Sequence, residues 1–194
     1  MTTLAALYAR CLSYRKVRSL CASLLALAAC VGWLRPRPLA ALGWVLGGAA
    51  FWMVFEYFLH RYALHAPRVP ARYPRLRRAH DAMHRDHHLA PDDPDQLFIS
   101  EKGTLALLAL TALAGAAAGG PVGAAGLALG FGLAMAQYGV AHLAAHSDYA
   151  PRTRYGRMMK EGHLLHHQRS ARGWFGVLTP FVDHLAGTWG PPRR

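Results

Sequence analysis

The sequence has few cysteines, few acidic residues and long stretches without any charge. Cys11, Cys21 and Cys30 are too few to hold a disulfide-stapled secreted domain, and they show no metal-ligand spacing. Ten acidic residues against 22 basic ones give a net charge of +12, although the chain is 53% hydrophobic and only 16% charged. This hydrophobic content excludes a disordered basic tail and is not typical of a soluble nucleic-acid-binding module. A length of 194 residues suits one domain or one small membrane bundle.

The uncharged stretches predict membrane-spanning helices. Charge is absent from residues 19–34, 38–55 and 103–147, and about 20 apolar residues cross a bilayer as a helix. We therefore predict an all-α polytopic membrane protein with four spans, at about 19–35, 39–60, 103–119 and 122–143, the last two separated near Gly119, Gly120 and Pro121. Basic residues flank the spans unevenly, which indicates that both termini and a histidine-rich helical cap, residues 60–102 and 144–194, are cytoplasmic. We expect the membrane to be a bacterial inner membrane.

The first 18 residues form a separate segment, and residues 19–194 form the membrane domain. An interfacial helix is one interpretation of residues 1–18, and a frayed tail is the other; the helical spacing is carried by Leu4, Leu7, Tyr8, Cys11 and Leu12. The segment Leu27-Ala28-Ala29-Cys30 also resembles a lipoprotein cleavage site at Cys30. Because the apolar run continues to Leu34, a spanning helix is the favoured interpretation.

Ten of the 12 histidines fall into four groups at the ends of the predicted spans: His60 and His65; His84, His87 and His88; His142 and His146; His163, His166 and His167. Neutral imidazole is a good ligand for iron, zinc or copper. Positions i, i+3 and i+4 share a helix face, so we expect each of the last three groups to aim its imidazoles at one point. His60 and His65 would lie about 140° apart on an ideal helix, so we expect that helix to distort or end near His65. Ten ligands exceed the needs of one ion, which predicts two metals.

The surroundings of these histidines exclude several common metal enzymes. The sequence contains no H-E-x-x-H motif and no pair of E-x-x-H motifs, so zincin proteases and carboxylate-rich di-iron bundles lack their ligands. A metal transporter would place its ligands near the membrane midplane, whereas these lie at one end of the spans. The pattern favours redox chemistry at the membrane surface, with a non-catalytic metal-binding or metal-transport membrane protein as the alternative.

From about residue 50 to 190, these motifs resemble the fatty acid hydroxylase (sterol desaturase) superfamily of integral-membrane di-iron enzymes. The resemblance is carried by Glu56–His65, the two H-x-x-H-H groups and the segment F-G-V-L-T-P-F-V-D-H-L-A-G-T-W from Phe175 to Trp189. It implies a lipid hydroxylase in which the ten grouped histidines hold two iron ions that activate O₂, with zinc as a possible substitute. It also implies a membrane lipid substrate and an external electron-transfer protein, and no nucleic acid.

The histidine spacings resemble most the fatty-acyl and sphingolipid 2-hydroxylase branch. A carotenoid hydroxylase or a lipid desaturase on the same scaffold is the enzymatic alternative. Neither His80 nor His184 has a place in the ligand set that the resemblance implies. For Asp148 and Asp183 we favour solvated surface positions over a role in orienting ligands. A basic stretch could receive a lipid carboxylate or phosphate or could only set topology; it contains Arg68, Arg72, Arg75, Arg77 and Arg78.

Overall fold

The computed structural model describes residues 3–67, 69–91 and 93–190, and over them it consists of helices and loops without a β-strand. The α-helices are α1 Leu4–Ser13, α2 Arg15–Leu34, α3 Pro38–Phe58, α4 Pro74–His80, α5 Asp86–Leu89, α6 Glu101–Ala145, α7 Arg154–Gln168 and α8 Phe181–Ala186. The structure also contains two π-helical stretches, at Leu59–Leu64 and Asp81–Arg85, and a 3-10 turn at Pro94–Gln96. The prediction of an all-α protein is confirmed for these residues.

Three helical segments are long and apolar enough to cross a membrane: Arg15–Leu34, Pro38–Leu64 and Glu101–Ala145. Their mean hydropathies are 1.8, 1.7 and 1.8, and most of their side chains are not buried inside the protein. Leu25 and Leu39, for example, are 72% and 83% exposed. Continuous apolar surface of this extent is costly in water and suits the hydrocarbon of a bilayer. The chain is therefore a membrane protein.

The longest helix, α6, changes direction where the sequence predicts a break. Gly119 and Gly120 leave the helical conformation, and Gly120 has a φ of 60°, which favours glycine. A Cβ atom added to Gly115 would lie 2.3 Å from the carbonyl oxygen of Gly123, although eight residues of a straight helix span about 12 Å. The two halves of α6 therefore fold back against each other as a helical hairpin. The predicted third and fourth spans are one interrupted helix in the structure.

One compact unit contains residues 10–53 and 99–138 and includes most of the membrane-length helices. Glycines let its helices approach closely: a Cβ atom on Gly130 would lie 1.8 Å from the carbonyl oxygen of Val45. The ring of Trp52, only 1% exposed, packs edge-on against Phe131 and Tyr138, at centroid distances of 5.0 and 5.4 Å. Helix α2 runs on past Cys30 to Leu34, as expected for a spanning helix.

The other compact unit contains the chain up to residue 9, residues 54–98 and the chain from residue 139 onward. It contains all ten grouped histidines. The proposed N-terminal segment is helical as α1, in which Leu7 and Cys11 are buried whereas Leu4 and Leu12 are half exposed. Its location at a membrane interface and the division at residue 18 stay predictions.

Candidate dimetal centre

The ten grouped histidines gather into two sets of five. Within each set, one ring nitrogen of every histidine lies within 4.8 Å of the corresponding atoms of the others, and three of the five rings are buried. Each set could therefore hold one metal ion. We call His60, His65, His84, His88 and His166 set A, and His87, His142, His146, His163 and His167 set B.

In set A the Nε2 atoms point towards one another at short distances. His84 Nε2 lies 2.9 Å from that of His60, 3.1 Å from that of His65 and 3.0 Å from that of His88. The Nε2 atom of His166 lies 3.0 Å from that of His65 and 3.2 Å from that of His88. In set B, the His142–His87 and His146–His163 pairs are each 2.9 Å apart. One proton on His84 Nε2 could satisfy only one of its three neighbours, so most of these nitrogens face each other through lone pairs.

Backbone carbonyls fix the tautomer of three of these rings. His166 Nδ1 lies 2.7 Å from the carbonyl oxygen of Gly173, and His60 Nδ1 lies 2.5 Å from that of Phe175. In set B, His142 Nδ1 lies 2.9 Å from the carbonyl oxygen of Leu97. A carbonyl oxygen only accepts, so Nδ1 carries the proton and Nε2 presents a lone pair to the set. This second bond of a ring is typical of metal-bound histidine. The donor sets therefore fit metal cations.

A π-helical turn brings His60 and His65 onto the same side. The backbone N–H of His65 donates to the carbonyl oxygen of His60 at 3.1 Å, the i→i+5 bond of a π-helix. Residues five apart then lie much closer around the helix axis than the roughly 140° that separates them on an α-helix, and the two ring centroids are 5.0 Å apart. The predicted distortion near His65 is confirmed. It is a π-helical widening at Leu59–Leu64, and the helix ends at His65.

The two H-x-x-H-H groups do not each aim at one point, and that prediction is wrong. In the first group, His84 and His88 belong to set A and His87 belongs to set B. In the second group, His166 belongs to set A, and His163 and His167 belong to set B. Residues i and i+4 lie about 40° apart around a helix, and i+3 lies about 60° to the other side. Because each of these helices runs between the two sets, that difference sends i+3 to the opposite one.

Several histidines of the two sets that lie outside the membrane-length helices are held neutral. Burial lowers the pKa of His65 to about 4 and the pKa values of His87 and His166 to about 3, with further lowering from neighbouring imidazoles. Burial also places the pKa of His163 well below its usual range, with His142 as the next cause. A metal ligand must be unprotonated. At neutral pH these rings are therefore ready to bind a cation.

Two buried carboxylates hold the segment that supplies the carbonyls to His60 and His166. Asp183 is 0% exposed; its Oδ1 accepts from the backbone N–H of Phe175 at 3.0 Å and its Oδ2 from that of Gly176 at 2.6 Å. The hydroxyl of Thr188 also donates to Asp183 Oδ1 at 2.7 Å. The predicted surface position of Asp183 is wrong, because this carboxylate is used entirely within the protein.

The second carboxylate is Glu56, 3% exposed, whose Oε1 accepts from the backbone N–H groups of Val177 and Leu178 at 2.8 and 2.9 Å. We call residues 173–178 the support loop. Glu56 was not identified from the sequence as the residue that holds this loop, although its position in the sequence pointed to a special role. Glu56 is the first charge after the uncharged stretch 38–55, and it lies one helical turn before His60.

Comparison with known proteins assigns a family to this arrangement. The family model described as fatty acid hydroxylase matches residues 45–188, a range that includes both histidine sets and the support loop. The chain belongs to the fatty acid hydroxylase family.

The curated relatives of this hydroxylase-family chain are longer proteins. It is 31% identical over 151 residues to the fatty acid 2-hydroxylase of Macaca fascicularis and 30% identical over 151 residues to that of Homo sapiens, covering 75% of the chain and 39% of each relative. It is 28% identical over 160 residues to the ceramide very long chain fatty acid hydroxylase scs7 of Schizosaccharomyces pombe, covering 78% of the chain and 43% of the relative. The chain thus spans about two fifths of the length of these relatives.

A solved structure supports the same assignment for the fold. Full length scs7p, in which only the hydroxylase domain is visible, superposes with a TM-score of 0.77 at 25% sequence identity. The match covers 91% of this chain and 67% of that one. The helical fold of the family is therefore present over nearly the whole chain.

The other polar residues singled out in the sequence lie outside the two sets. His80 is half-buried, and its Nε2 donates to the carbonyl oxygen of Ala63 at 3.1 Å, so it ties α4 to the π-helical turn. His184 is exposed beside the ring of Trp189, at 5.5 Å between ring centroids. Asp148 is exposed, as expected.

The basic stretch is largely solvent-exposed. Arg72, Arg75 and Arg78 are exposed, and the guanidinium of Arg72 lies 5.0 Å from the ring centre of Tyr73. Arg77 is half-buried, 3.7 Å from the carboxylate of Asp81. Arg68 lies outside the described residues. The side chains of Arg72, Arg75 and Arg78 are therefore accessible to an anionic group in the surroundings.

Proposed function

We propose that this chain is a membrane-bound di-iron monooxygenase that hydroxylates an unactivated C–H bond of a lipid acyl chain. One atom of O₂ enters the C–H bond, and the other leaves as water with two electrons and two protons supplied from outside. The electrons come from an external electron-transfer protein. The observation that carries the proposal is the presence of two five-imidazole sets in a membrane protein of the fatty acid hydroxylase family.

The number of ring nitrogens in each set favours iron over zinc. Five imidazoles exceed the four ligands of a usual structural zinc site. Iron accepts imidazole readily and tolerates five or six ligands.

The chain's own residues supply position and electrostatics, and the metals supply the redox chemistry. Two iron ions would activate O₂ for attack on an alkyl C–H bond, which no amino-acid side chain can achieve. All ten proposed ligands are neutral donors, so the site retains the positive charge of the ions. Each set takes ligands from the end of a membrane-length helix, His60 and His65 in set A and His142 and His146 in set B, which would let an acyl chain remain in the hydrocarbon while one carbon reaches the site. The exposed arginines Arg72, Arg75 and Arg78 would bind an anionic head group.

The proposed topology has four spans, with both halves of α6 crossing the bilayer. Residues 101–118 and 121–145 would rise about 27 and 37 Å as helices, close to the thickness of the hydrocarbon core. The uneven distribution of Lys and Arg favours a cytoplasmic location for both termini and both histidine sets. The curated relatives are from eukaryotes, and a bacterial inner membrane stays a prediction.

The proposal is tested by metal analysis and isotope-labelled O₂. Full-length protein in detergent or nanodiscs is expected to contain about two irons per chain and to transfer labelled oxygen from O₂ into a lipid. Untargeted lipidomics of cells with and without the gene identifies that lipid; a 2-hydroxy acyl product is expected from the names of the relatives. A product that loses hydrogen without gaining oxygen would instead show a desaturase.

A triple substitution supplies the control for the metal sites. Changing His163, His166 and His167 together to alanine removes ligands from both sets and is expected to abolish hydroxylation. His184→Ala, an exposed histidine outside both sets, is expected to retain it. Hydroxylation that survives the triple substitution contradicts the proposal, and metal uptake into vesicles without an oxygenated product favours a transport protein.

A further inference from the structure

We propose that Asp183 is a positioning residue for the set A metal, acting on His60 through a single peptide unit of the support loop. This inference rests on the proposed binding of metal by the two histidine sets. It concerns a residue that belongs to neither histidine set, and it predicts that metal binding by the two sets responds differently to its loss.

The peptide unit between Phe175 and Gly176 connects the carboxylate to the ligand. Its N–H, on Gly176, donates to Asp183 Oδ2 at 2.6 Å, and its carbonyl, on Phe175, accepts from His60 Nδ1. The two bonds lie at opposite ends of one conjugated group. A carboxylate on the N–H side polarises the carbonyl, and the carbonyl then accepts more strongly from the imidazole. The Nε2 lone pair of His60 consequently becomes a better donor to a cation.

The backbone of the support loop is shaped for this arrangement. A Cβ atom on Gly176 would lie 2.1 Å from the carbonyl oxygen of Thr179, so this backbone path admits only glycine, and it would lie 3.0 Å from Asp183 Oδ2. Trp174 has a φ of 56°, a left-handed conformation that is unfavourable for a non-glycine residue. Surrounding bonds must hold it there. Its N–H donates to the carbonyl oxygen of Thr188 at 2.8 Å.

A second ligand ring depends on the same loop. Gly173 precedes the left-handed Trp174, and its carbonyl oxygen accepts from His166 Nδ1 at 2.7 Å. Asp183 holds the residues after Trp174 through the N–H groups of Phe175 and Gly176. The carbonyls on the two sides of one strained residue thus serve two rings of set A. Loss of Asp183 would release both.

Set B is supported differently. His142 Nδ1 bonds to the carbonyl oxygen of Leu97, which is not part of the support loop. Over the part of the chain that the structure describes, the buried Nδ1 atoms of His87 and His163 have no hydrogen-bond partner. None of these three rings depends on Asp183. The effect of Asp183 is therefore confined to set A, whereas a residue needed only for folding would affect both sets.

The test measures metal affinity in two backgrounds, in each of which one set is weakened by the loss of a ligand, so that the other set gives the tighter binding step. His142→Ala leaves set A as the only complete set, and His60→Ala leaves set B. Each full-length protein is purified in detergent, stripped with a chelator and titrated with Co²⁺, followed by visible absorption and elemental analysis. In the His142→Ala background, Asp183→Asn is expected to weaken Co²⁺ binding about 10–100-fold, the usual cost of losing the partner of a ligand. In the His60→Ala background the change is expected to stay below about twofold.

Glu161→Gln is the matched control, since it removes an exposed carboxylate of α7 with the same acid-to-amide change. It is expected to change neither affinity. If Asp183→Asn does not fold, Thr188→Val provides the second variant, because it removes the hydroxyl bond to Asp183 Oδ1, together with the contact to the Tyr57 hydroxyl at 3.1 Å, and keeps the carboxylate. A smaller loss confined to set A is expected.

Equal weakening in both backgrounds, or no weakening in either, overturns the inference about Asp183. Failure of the unsubstituted chain to bind two metal ions would instead contradict the proposed function. The two failures are therefore distinguishable in one set of titrations.

Discussion

The assignment of neighbouring histidines to different metals leads to a sharp prediction about pairs of substitutions. His84→Ala with His88→Ala removes two ligands from set A and none from set B. His84→Ala with His87→Ala removes one ligand from each. The two double variants have the same composition and alter the same short helical segment, yet they are expected to differ in the number of metals that remain.

The number of ligands that each set loses determines how far its metal affinity falls. Losing even the hydrogen-bond partner of a metal ligand costs about 10–100-fold in affinity, and losing the ligand itself costs at least as much. Set A without His84 and His88 keeps three of its five nitrogens, so its affinity is expected to fall by at least about 10²–10⁴-fold. Set B is unchanged in this variant. One metal per chain should remain, bound with the original affinity.

Elemental analysis and Co²⁺ titration of the detergent-purified variants distinguish the two cases. The His84/His88 variant is expected to show one step of unchanged affinity, and the His84/His87 variant two weakened steps. His184→Ala serves as the control and should bind two ions as the unsubstituted chain does. Indistinguishable titrations of the two double variants would refute the division into sets A and B, because each H-x-x-H-H group would then serve one ion.

Two further predictions concern stability. Lowering the pH should destabilise the metal-free protein. In the folded state the pKa is about 4 for His65 and about 3 for His87, below the ordinary 6.5. The stability that these two neutral rings contribute is therefore complete above about pH 6.5 and is lost as the pH falls towards 3–4. Thermal unfolding at pH 7.5, 5.5 and 4.5 should show a falling midpoint, and a constant midpoint would contradict the neutral state of these rings. Gly115→Leu should destabilise the α6 hairpin by at least about 1–3 kcal/mol in denaturant unfolding, because its Cβ would meet the Gly123 carbonyl, whereas Leu113→Ala, at a 67% exposed position of the same helix, should have little effect.

The helical architecture follows closely from the sequence because its signals are local. Length and apolarity define the membrane helices without reference to the rest of the fold. The pair Gly119–Gly120 before Pro121 marks the reversal, since Gly120 adopts a positive φ. The number of the histidines likewise indicated two candidate metal sites, and the structure gathers them into two sets.

The sequence was insufficient to predict features that depend on how the helices pack against one another, such as the set to which each histidine belongs. Spacings of three and four residues are both compatible with a single face, so only packing between two sites separates His87 from His84 and His88. The π-helical turn at Leu59–Leu64 was expected only as an unspecified distortion. Burial of Asp183 depends on backbone N–H groups, which every residue possesses and no side-chain pattern reveals.

The division of each H-x-x-H-H group also sets an order of events in biosynthesis. Both sets take ligands from α7, which follows all the membrane-length helices in the chain. Neither set can be complete before those helices have left the ribosome. Because the rings that meet in set A are up to 106 positions apart, from His60 to His166, a bound ion closes a long loop of chain. In the proposed metal-bound state, the last ligands of both sets are therefore synthesised only after the membrane-length helices, and each ion would connect segments that are distant in the sequence.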